Sequence, residues 1–502
     1  MGEGRDTTTQ KAQQLNIKAA IAVANTVRST LGPLGMDKMC VDPRGHFVVS
    51  NDGATILREL DVAHPGAQMV VNMSKTQEVE CRDGTTSVVV IAGKLLENTE
   101  GLLVKGIHPN TICNGYRKAS QQALRLLDDL KLDEVDLRAV ATTAVTGKAA
   151  EQNIEHVAEL CVNAIELTKG DESRIKVISQ VGGSLDDSHL FDGVILNKEF
   201  GSTANPTDLR GGVLLVNTGL TPPPMHDSMR VQLGSMDAVQ QFQIAETRML
   251  VERAQSIISL GVVSVFVRDN VHEAVIHTLA QEGIGIVTRV PTTDLQAISH
   301  LTGSPIYHMT EDANPDSLGD ASVVEKEIGD IRFVTIEVDK PDVVTLVLRG
   351  ATRQTVDELE RAFDDAIGVS SLAYRDQMVV AGGGSAFSYI SHHINTDIED
   401  GRIRLAVEAY AESLLSIPIT IAENAGHNPL DIAIKVEACE LAHYAPDIES
   451  GDMVDMSLEG VIEPYRVVRQ AIQSATEVAI AILRIDDIIG RRGDEEQNGQ
   501  TA

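Results

Sequence analysis

The amino-acid sequence predicts a multidomain α+β fold that is helical at both ends of the chain and α/β in the middle. Three observations lead there. At 502 residues the chain exceeds the size at which a single hydrophobic core stops growing, so a division into roughly two to four domains is expected. From Gln10 to about Leu130 apolar residues recur at spacings of three and four, as in Ile112, Tyr116, Ala119, Ala123, Leu126 and Leu130, which is the period of an amphipathic helix. In the middle, Val262 to Val267 reads as a buried strand, Val271 to Glu282 as a helix, and Ile284 to Val287, after Gly283, as a second strand; together they make a βαβ unit.

The other elements follow from local chemistry. Lys38 to Val41 and His46 to Val49 read as short strands joined through Asp42, Pro43, Arg44 and Gly45, a turn-forming set, so one hairpin interrupts the N-terminal helices. Val213 to Val216, Ile331 to Val338 and Val343 to Leu348 extend the central α/β region, and beyond Gly384 helices return, with Leu405 to Leu415 and Val467 to Leu483 the clearest. This order predicts a domain inserted into another whose halves lie at the chain ends. Gly2 to Gln14 and Gly490 to Ala502 are polar and read as loose tails.

Composition narrows the function. Apolar residues reach 43% but aromatics only 3%, with no Trp, so the cores are aliphatic. Lys and Arg number 42 against 73 Asp and Glu, a net charge of −31. Nucleic acid is excluded as a partner, because phosphate backbone requires a basic stripe. An acidic, Lys-poor surface also fits solubility in high salt, where repulsion is screened, and so a halophilic source. Cys40, Cys81, Cys113, Cys161 and Cys439 are scattered and form no Cys-x-x-Cys pair, as expected of a reduced cytoplasmic compartment. No basic region followed by an apolar run opens the chain, and no uncharged apolar stretch reaches the roughly 18 residues of a membrane span. The expectation is a soluble cytoplasmic protein with no membrane partner.

The sharpest local motif is Asp83-Gly84-Thr85-Thr86-Ser87 ahead of the apolar run Val88 to Ala92. Glycine and hydroxyl residues at a helix start offer N–H and O–H donors to a phosphate, and a Mg²⁺ shared with Asp83 would turn carboxylate–phosphate repulsion into attraction. The same residues serve equally well as an ordinary helix cap. In Thr30 to Met39 (TLGPLGMDKM) Gly32 could bring backbone close to a ligand or, with Pro33, merely end a helix. Ala381-Gly382-Gly383-Gly384 could admit an adenine or ribose, or be a flexible loop. Asp52 by itself reads as a helix cap and Asp365 as part of a solvated helix face.

Taken together the motifs are more specific. TLGPLGMDKM at Thr30, NDGATIL at Asn51, HPGA at His64, DGTTSVVVIAG at Asp83, GIHP at Gly106, TGK at Thr146, AGGG at Ala381, ENAG at Glu423, GVIEP at Gly460 and ILRIDD at Ile482 stand in the order and near the spacing of group II chaperonins, the archaeal thermosome and TCP-1 type. The resemblance runs from about Thr9 to Asp487.

That resemblance implies an α+β multidomain chaperonin fold: a helical equatorial ATP-binding domain over 1–132 and 384–502, a small α/β intermediate hinge domain over 133–203 and 348–383, and an α/β apical domain over 204–347. The apical domain would carry a built-in lid, a helical protrusion expected from Leu220 to Phe242, whose Met225, Met229 and Met236 suit promiscuous client binding or, equally, an ordinary helix-packing face. The implied function is an ATP-dependent chaperone subunit that folds clients in a double-ring cavity. Its partners would be identical or paralogous subunits and unfolded proteins. The implied cofactors are ATP and Mg²⁺, with K⁺ as a candidate second cation.

Carried over residue by residue, Leu31, Gly32 and Pro33 would line the nucleotide, Asp83 would hold Mg²⁺, and Gly84, Thr85, Thr86 and Ser87 would contact the phosphates. Gly383 and Glu463 would face the adenosine end, Lys148 would read the γ-phosphate, Asp365 would polarise the attacking water and Asp52 would orient it. Two departures stand out: Leu34 replaces the usual Lys of Gly-Pro-Lys-Gly, and Cys81-Arg82 replace Val-Gly before Asp83. They raise the alternative of a divergent ring subunit with weak ATPase and a mainly structural or client-selecting role.

Overall fold

A computed structural model of the chain describes residues 3–41, 44–147, 153–202, 206–222, 236–328 and 331–487. It divides into two compact units, Met1–Val162 with Arg361–Ala502, and Asn163–Glu360.

The first unit is mainly helical. Its core packs the helices Glu3–Arg28, Pro65–Cys81, Thr85–Val104, Pro109–Asp128, Gly401–Leu414 and Tyr465–Leu483. Ile112, Tyr116, Ala119 and Ala123 are all buried in it, as their spacing predicts. With few aromatics, the helices approach closely through small residues: a Cβ at Gly93 would lie 2.3 Å from Ala24 Cβ. Two fully buried aromatic side chains of this core, Tyr116 and Tyr410, meet edge to face at 5.6 Å. The Tyr116 hydroxyl donates to Leu95 O at 2.8 Å, and that of Tyr410 lies 2.8 Å from Thr476 Oγ1, so neither hydroxyl is buried without a partner. Gln13 Nε2 donates to Leu483 O at 2.7 Å, and Asn424 Nδ2 donates to the carbonyls of Arg28 at 3.0 Å and Leu31 at 2.8 Å. Both contacts join the two ends of the chain.

The predicted hairpin is Lys38–Val41 paired with Phe47–Ser50, in antiparallel register Lys38↔Ser50; its turn residues Asp42 and Pro43 lie outside the described residues. The stretch Gly401–Asn424 is long and apolar enough to span a membrane by length and composition, but 61% of that window is buried inside the protein.

The second unit is α/β. A seven-stranded mixed sheet runs Val194–Leu196, Ile331–Glu337, Asp320–Ile328, Asp208–Val216, Val262–Val267, Gly285–Val287, with Ile306–Tyr307 also paired to Asp208–Val216. Val262–Val267 and Gly285–Val287 are parallel and joined through the helix Glu273–Gln281, which is the predicted βαβ unit. Side chains alternate along the central strand: Val213 and Leu215 enter one core with Phe266 and Ile298, while Leu214 and Val216 enter another with Leu250 and Ile257. Both faces are therefore covered, as a near-continuous apolar run requires. A separate three-stranded sheet orders Ile175–Val181, Val344–Gly350 and His189–Phe191. Of the stretch expected to form the helical protrusion, 223–235 lies outside the described residues; Met236 begins the helix Met236–Ser259.

One ion pair here is shielded from water. Lys176 Nζ lies 2.7 Å from Asp294 Oδ1, both side chains 18% exposed. Burial pulls the lysine below its usual value, and Asp294 opposes the shift. Removing one partner leaves a partly desolvated charge alone, so Lys176→Ala is expected to cost about 2–3 kcal/mol, whereas Lys176→Met combined with Asp294→Leu should cost under about 1 kcal/mol. Chemical denaturation of both variants checks this; equal losses would refute it.

Candidate active site

The helices Pro65–Cys81 and Thr85–Val104 are joined by Arg82, Asp83 and Gly84. Arg82 (φ 58°, ψ 3°) and Gly84 (φ 75°, ψ 14°) both take left-handed backbone, which reverses the chain around Asp83. For arginine this costs about 1 kcal/mol or more; for glycine it costs nothing comparable. A Cβ at position 84 would also meet Val467 Cγ1 at 2.9 Å and Gln77 Nε2 at 3.0 Å. Buried Gln77 pins the link, donating to Asp83 O at 3.0 Å and Val467 O at 3.2 Å. The Gly84 N–H donates to Asp83 Oδ1 at 2.7 Å. Among the described residues no side chain caps the Thr85–Val104 helix, so its first turn presents the positive end of the helix dipole.

Asp52 approaches from a second segment. It caps the helix Gly53–Glu59, accepting the Thr55 N–H at 2.7 Å and the Ala54 N–H at 3.3 Å. Besides capping its own helix, Asp52 faces the start of the next one: Thr85 Oγ1 lies 3.4 Å from Asp52 Oδ1. Gly53 makes the approach possible: a Cβ there would be 2.4 Å from Thr86 Oγ1.

The Leu31-Gly32-Pro33 turn forms another wall. Gly32 has φ 87°, and the Asn424 amide holds the Leu31 carbonyl, so the ENAG motif supports this turn. A Cβ at Gly147 would lie 2.4 Å from Pro33 O, and Asn51 Nδ2 donates to Gly147 O at 3.1 Å. Thr146 and Gly147 are thereby seated on the turn; Lys148, the next residue, lies outside the described residues. On the opposite side the strand Val379–Ala381 pairs with Ile462–Pro464, leading into Gly383 (φ 64°), where a Cβ would be 3.1 Å from Met456 Sδ.

These segments enclose a cavity of about 770 Å³. Leu31, Gly32, Pro33, Asp52, Asp83, Gly84, Thr85, Thr86, Ser87, Asp365 and Gly383 all line it. Glu463 does not; it sits behind the wall, where burial pushes its carboxyl up to about 8 and Asp83 adds to the shift. Asp365 comes from the helix Arg353–Asp376, on which it is half-buried while its neighbour Asp364 is exposed.

The sequence reading missed Glu78. It shares the cavity wall with Asp52, Asp83 and Asp365, and its Oε2 is buried without a hydrogen-bond partner among the described residues. Burial first, then Asp52 and Asp365, raise its pKa, against Arg58 and Arg82. It stands one helical turn before Arg82, a spacing that could have marked it. Also missed were Val454, Met456 and Val461, an apolar stretch of the wall that no periodicity signals, because it belongs to short strands and turns.

A sequence profile described as the TCP-1/cpn60 chaperonin family matches residues 23–492. The chain belongs to this chaperonin family. Among its relatives, thermosome subunit beta of Methanothermobacter thermautotrophicus is 41% identical over 99% of this chain and 95% of its own length. Thermosome subunit 1 of Haloferax volcanii is 39% identical over 99% and 93%, and the thermosome subunit of Pyrococcus horikoshii 40% identical over 99% and 94%. It is a group II chaperonin subunit of the thermosome type, an ATP-hydrolysing protein-folding chaperone with the mixed helical and sheet architecture described above.

The two departures of this chaperonin now separate. Leu34 is 51% exposed and does not line the cavity. Arg82 does line it.

The raised Glu463 carboxyl gives a pH test on metal-free protein. The folded state holds this proton to about pH 8, whereas an unfolded glutamate releases it near 4.5. Its ionisation therefore opposes folding, a penalty absent below the lower value and complete above the upper. Glu463→Gln should raise the melting temperature by roughly 1–3 °C at pH 9 and far less at pH 5; an equal gain at both values would contradict this.

Proposed function

We propose that the cavity binds MgATP with its triphosphate at the N-terminus of the Thr85–Val104 helix and its adenosine toward Gly383 and the apolar wall of Val454, Met456 and Val461. The convergence of Asp52, Asp83 and Asp365, from three separate segments, on one cavity with an uncapped helix start supports this reading. A capped structural helix has no use for three carboxylates around it.

The donor set suits Mg²⁺, a hard cation that takes few protein oxygens and several from phosphate: Asp83 supplies a carboxylate beside the hydroxyls of Thr85, Thr86 and Ser87. When bound, Mg²⁺ neutralises charge on the phosphate oxygens. Asp83 would hold it, and Gly84 through Ser87 would donate to the phosphates. Asp365 would take a hydrogen bond from the attacking water and polarise it, with Asp52 fixing the water's line of approach. Leu31, Gly32 and Pro33 would cover the nucleotide, Lys148 would contact the γ-phosphate and Glu463, neutral at pH 7, would support Asp83 from behind. K⁺ is a candidate second cation.

In this reading the chain has the equatorial, intermediate and apical domains whose boundaries the motifs imply. Asp365 then belongs to the hinge domain, so the catalytic set is complete only when the subunit closes, and hydrolysis times the folding cycle. The subunit works in the cytoplasm, in stacked double rings of identical or paralogous subunits that enclose unfolded clients.

Asp365→Ala is expected to lower Mg²⁺-dependent ATP turnover at least about 100-fold while changing ATP affinity less than about threefold. Turnover by the purified ring and calorimetric ATP binding measure the two. A parent protein no faster than the variant would rule out the active-subunit reading and favour the weak-ATPase ring member. A stable monomer by size-exclusion mass would rule out both.

A further inference from the structure

The reaction as laid out leaves Arg82 without a role, yet its placement is unusual in three ways. Its backbone is left-handed at φ 58°, a conformation natural to glycine. It lines the cavity with Asp52, Glu78, Asp83 and Asp365, and among the described wall residues it is the one cationic side chain. Its aliphatic stem lies against the helix that carries Asp365: a Cβ built at Gly368, about one turn beyond Asp365, would fall 2.5 Å from Arg82 Cγ, 2.7 Å from its Cβ and 3.2 Å from its Cδ.

That collision would involve the root of the side chain, which cannot swing aside without moving the backbone. With Arg82 so placed, position 368 accepts only glycine. A glycine inside a helix is itself unfavourable relative to alanine, and Gly368 lies deep within Arg353–Asp376. Two residues that are each locally unfavourable thus meet in a single contact, and each supplies the reason for the other. The Arg82 charge also acts on Glu78, against the opposing effect of Asp52 and Asp365.

We propose that Arg82 is a positioning residue for ATP hydrolysis: its stem, seated on Gly368, sets how closely the turn bearing Asp365 approaches the Asp83 link, and its guanidinium offsets the repulsion among the converging carboxylates. The inference rests on the reading of Asp365 as the residue that polarises water. Closing that helix onto the site brings carboxylates together, which costs energy unless a cation accompanies them. An arginine anchored on the metal-binding link and seated on the moving helix supplies it at the point of contact.

Steady-state MgATP turnover on assembled protein tests this with Arg82→Gly, Arg82→Lys, Gly368→Ala and the double variant Arg82→Gly/Gly368→Ala. Arg82→Gly, which suits the left-handed backbone, should fold and assemble by size-exclusion mass, lose about tenfold in kcat and keep KM for ATP within about twofold. Arg82→Lys, with stem and charge retained, should return to within about threefold of the parent. Gly368→Ala should lose about tenfold, and the double variant should lose no more than either single one. Turnover of Arg82→Gly within twofold of the parent, or single losses that multiply in the double variant, would overturn the proposal. Gly368→Ala reports on the same contact from the other side should Arg82→Gly not assemble. If Asp365→Ala also leaves turnover unchanged, the fault lies in the reading of the site; if it abolishes turnover while Arg82→Gly does not, the fault lies with Arg82 alone.

Discussion

A carboxylate and a phosphate 4 Å apart repel by about 4 kcal/mol at an effective dielectric near 20, and the organisation of this cavity follows from holding several carboxylates where, in the function proposed above, a polyanion binds. Asp52, Glu78, Asp83 and Asp365 share one wall. They are placed by backbone more than by partner charges: Asp83 by two left-handed neighbours and the Gln77 amide, Asp52 by its own helix, which it caps. The counterweight is the uncapped start of the Thr85–Val104 helix, whose N–H groups cost no side-chain entropy to aim. Glu78 and Glu463 show the other response to the same pressure, since both hold their protons to higher pH than free glutamate.

Close approach is the second requirement, and it falls on glycine. At Gly53, Gly84 and Gly147 a single added carbon would meet neighbouring atoms at 3 Å or less. These contacts bring segments distant in sequence to one cavity without long side chains between them. The aliphatic core of the unit follows the same logic, with small residues where helices cross and the fully buried Tyr116 and Tyr410 satisfied by local hydrogen bonds.

Where periodicity speaks, the sequence was legible. The strand Val262–Val267 and the strand Gly285–Val287 stand where alternating β-branched residues and Gly283 put them, and the hairpin differs by one residue in its second strand, Phe47–Ser50. The long helix Arg353–Asp376 was read only around Asp364 and Asp365, because Gly368 interrupts its propensity and its reason is tertiary. Asp365 illustrates the limit for the site. On its own helix it is a polar residue at a half-buried position, and only packing against a segment almost three hundred positions earlier distinguishes it from exposed Asp364. Glu78 escaped for the same reason. The motif strings that identify the family mark the turns well, but they do not say which neighbouring side chains also face the cavity.

The bonds that tie residue 13 to 483 and residue 424 to 28 and 31 have a consequence for biosynthesis. The Gly32 turn depends on an amide 393 positions later in the chain, and the wall at Gly383 and Met456 comes equally late. A nascent chain on the ribosome therefore exposes its N-terminal helices without the partners that complete their core, while the contiguous unit Asn163–Glu360 has all of its own strands to hand. The cavity is thus assembled last, once both halves of the first unit have been made, and the interval before that is the chain's most aggregation-prone.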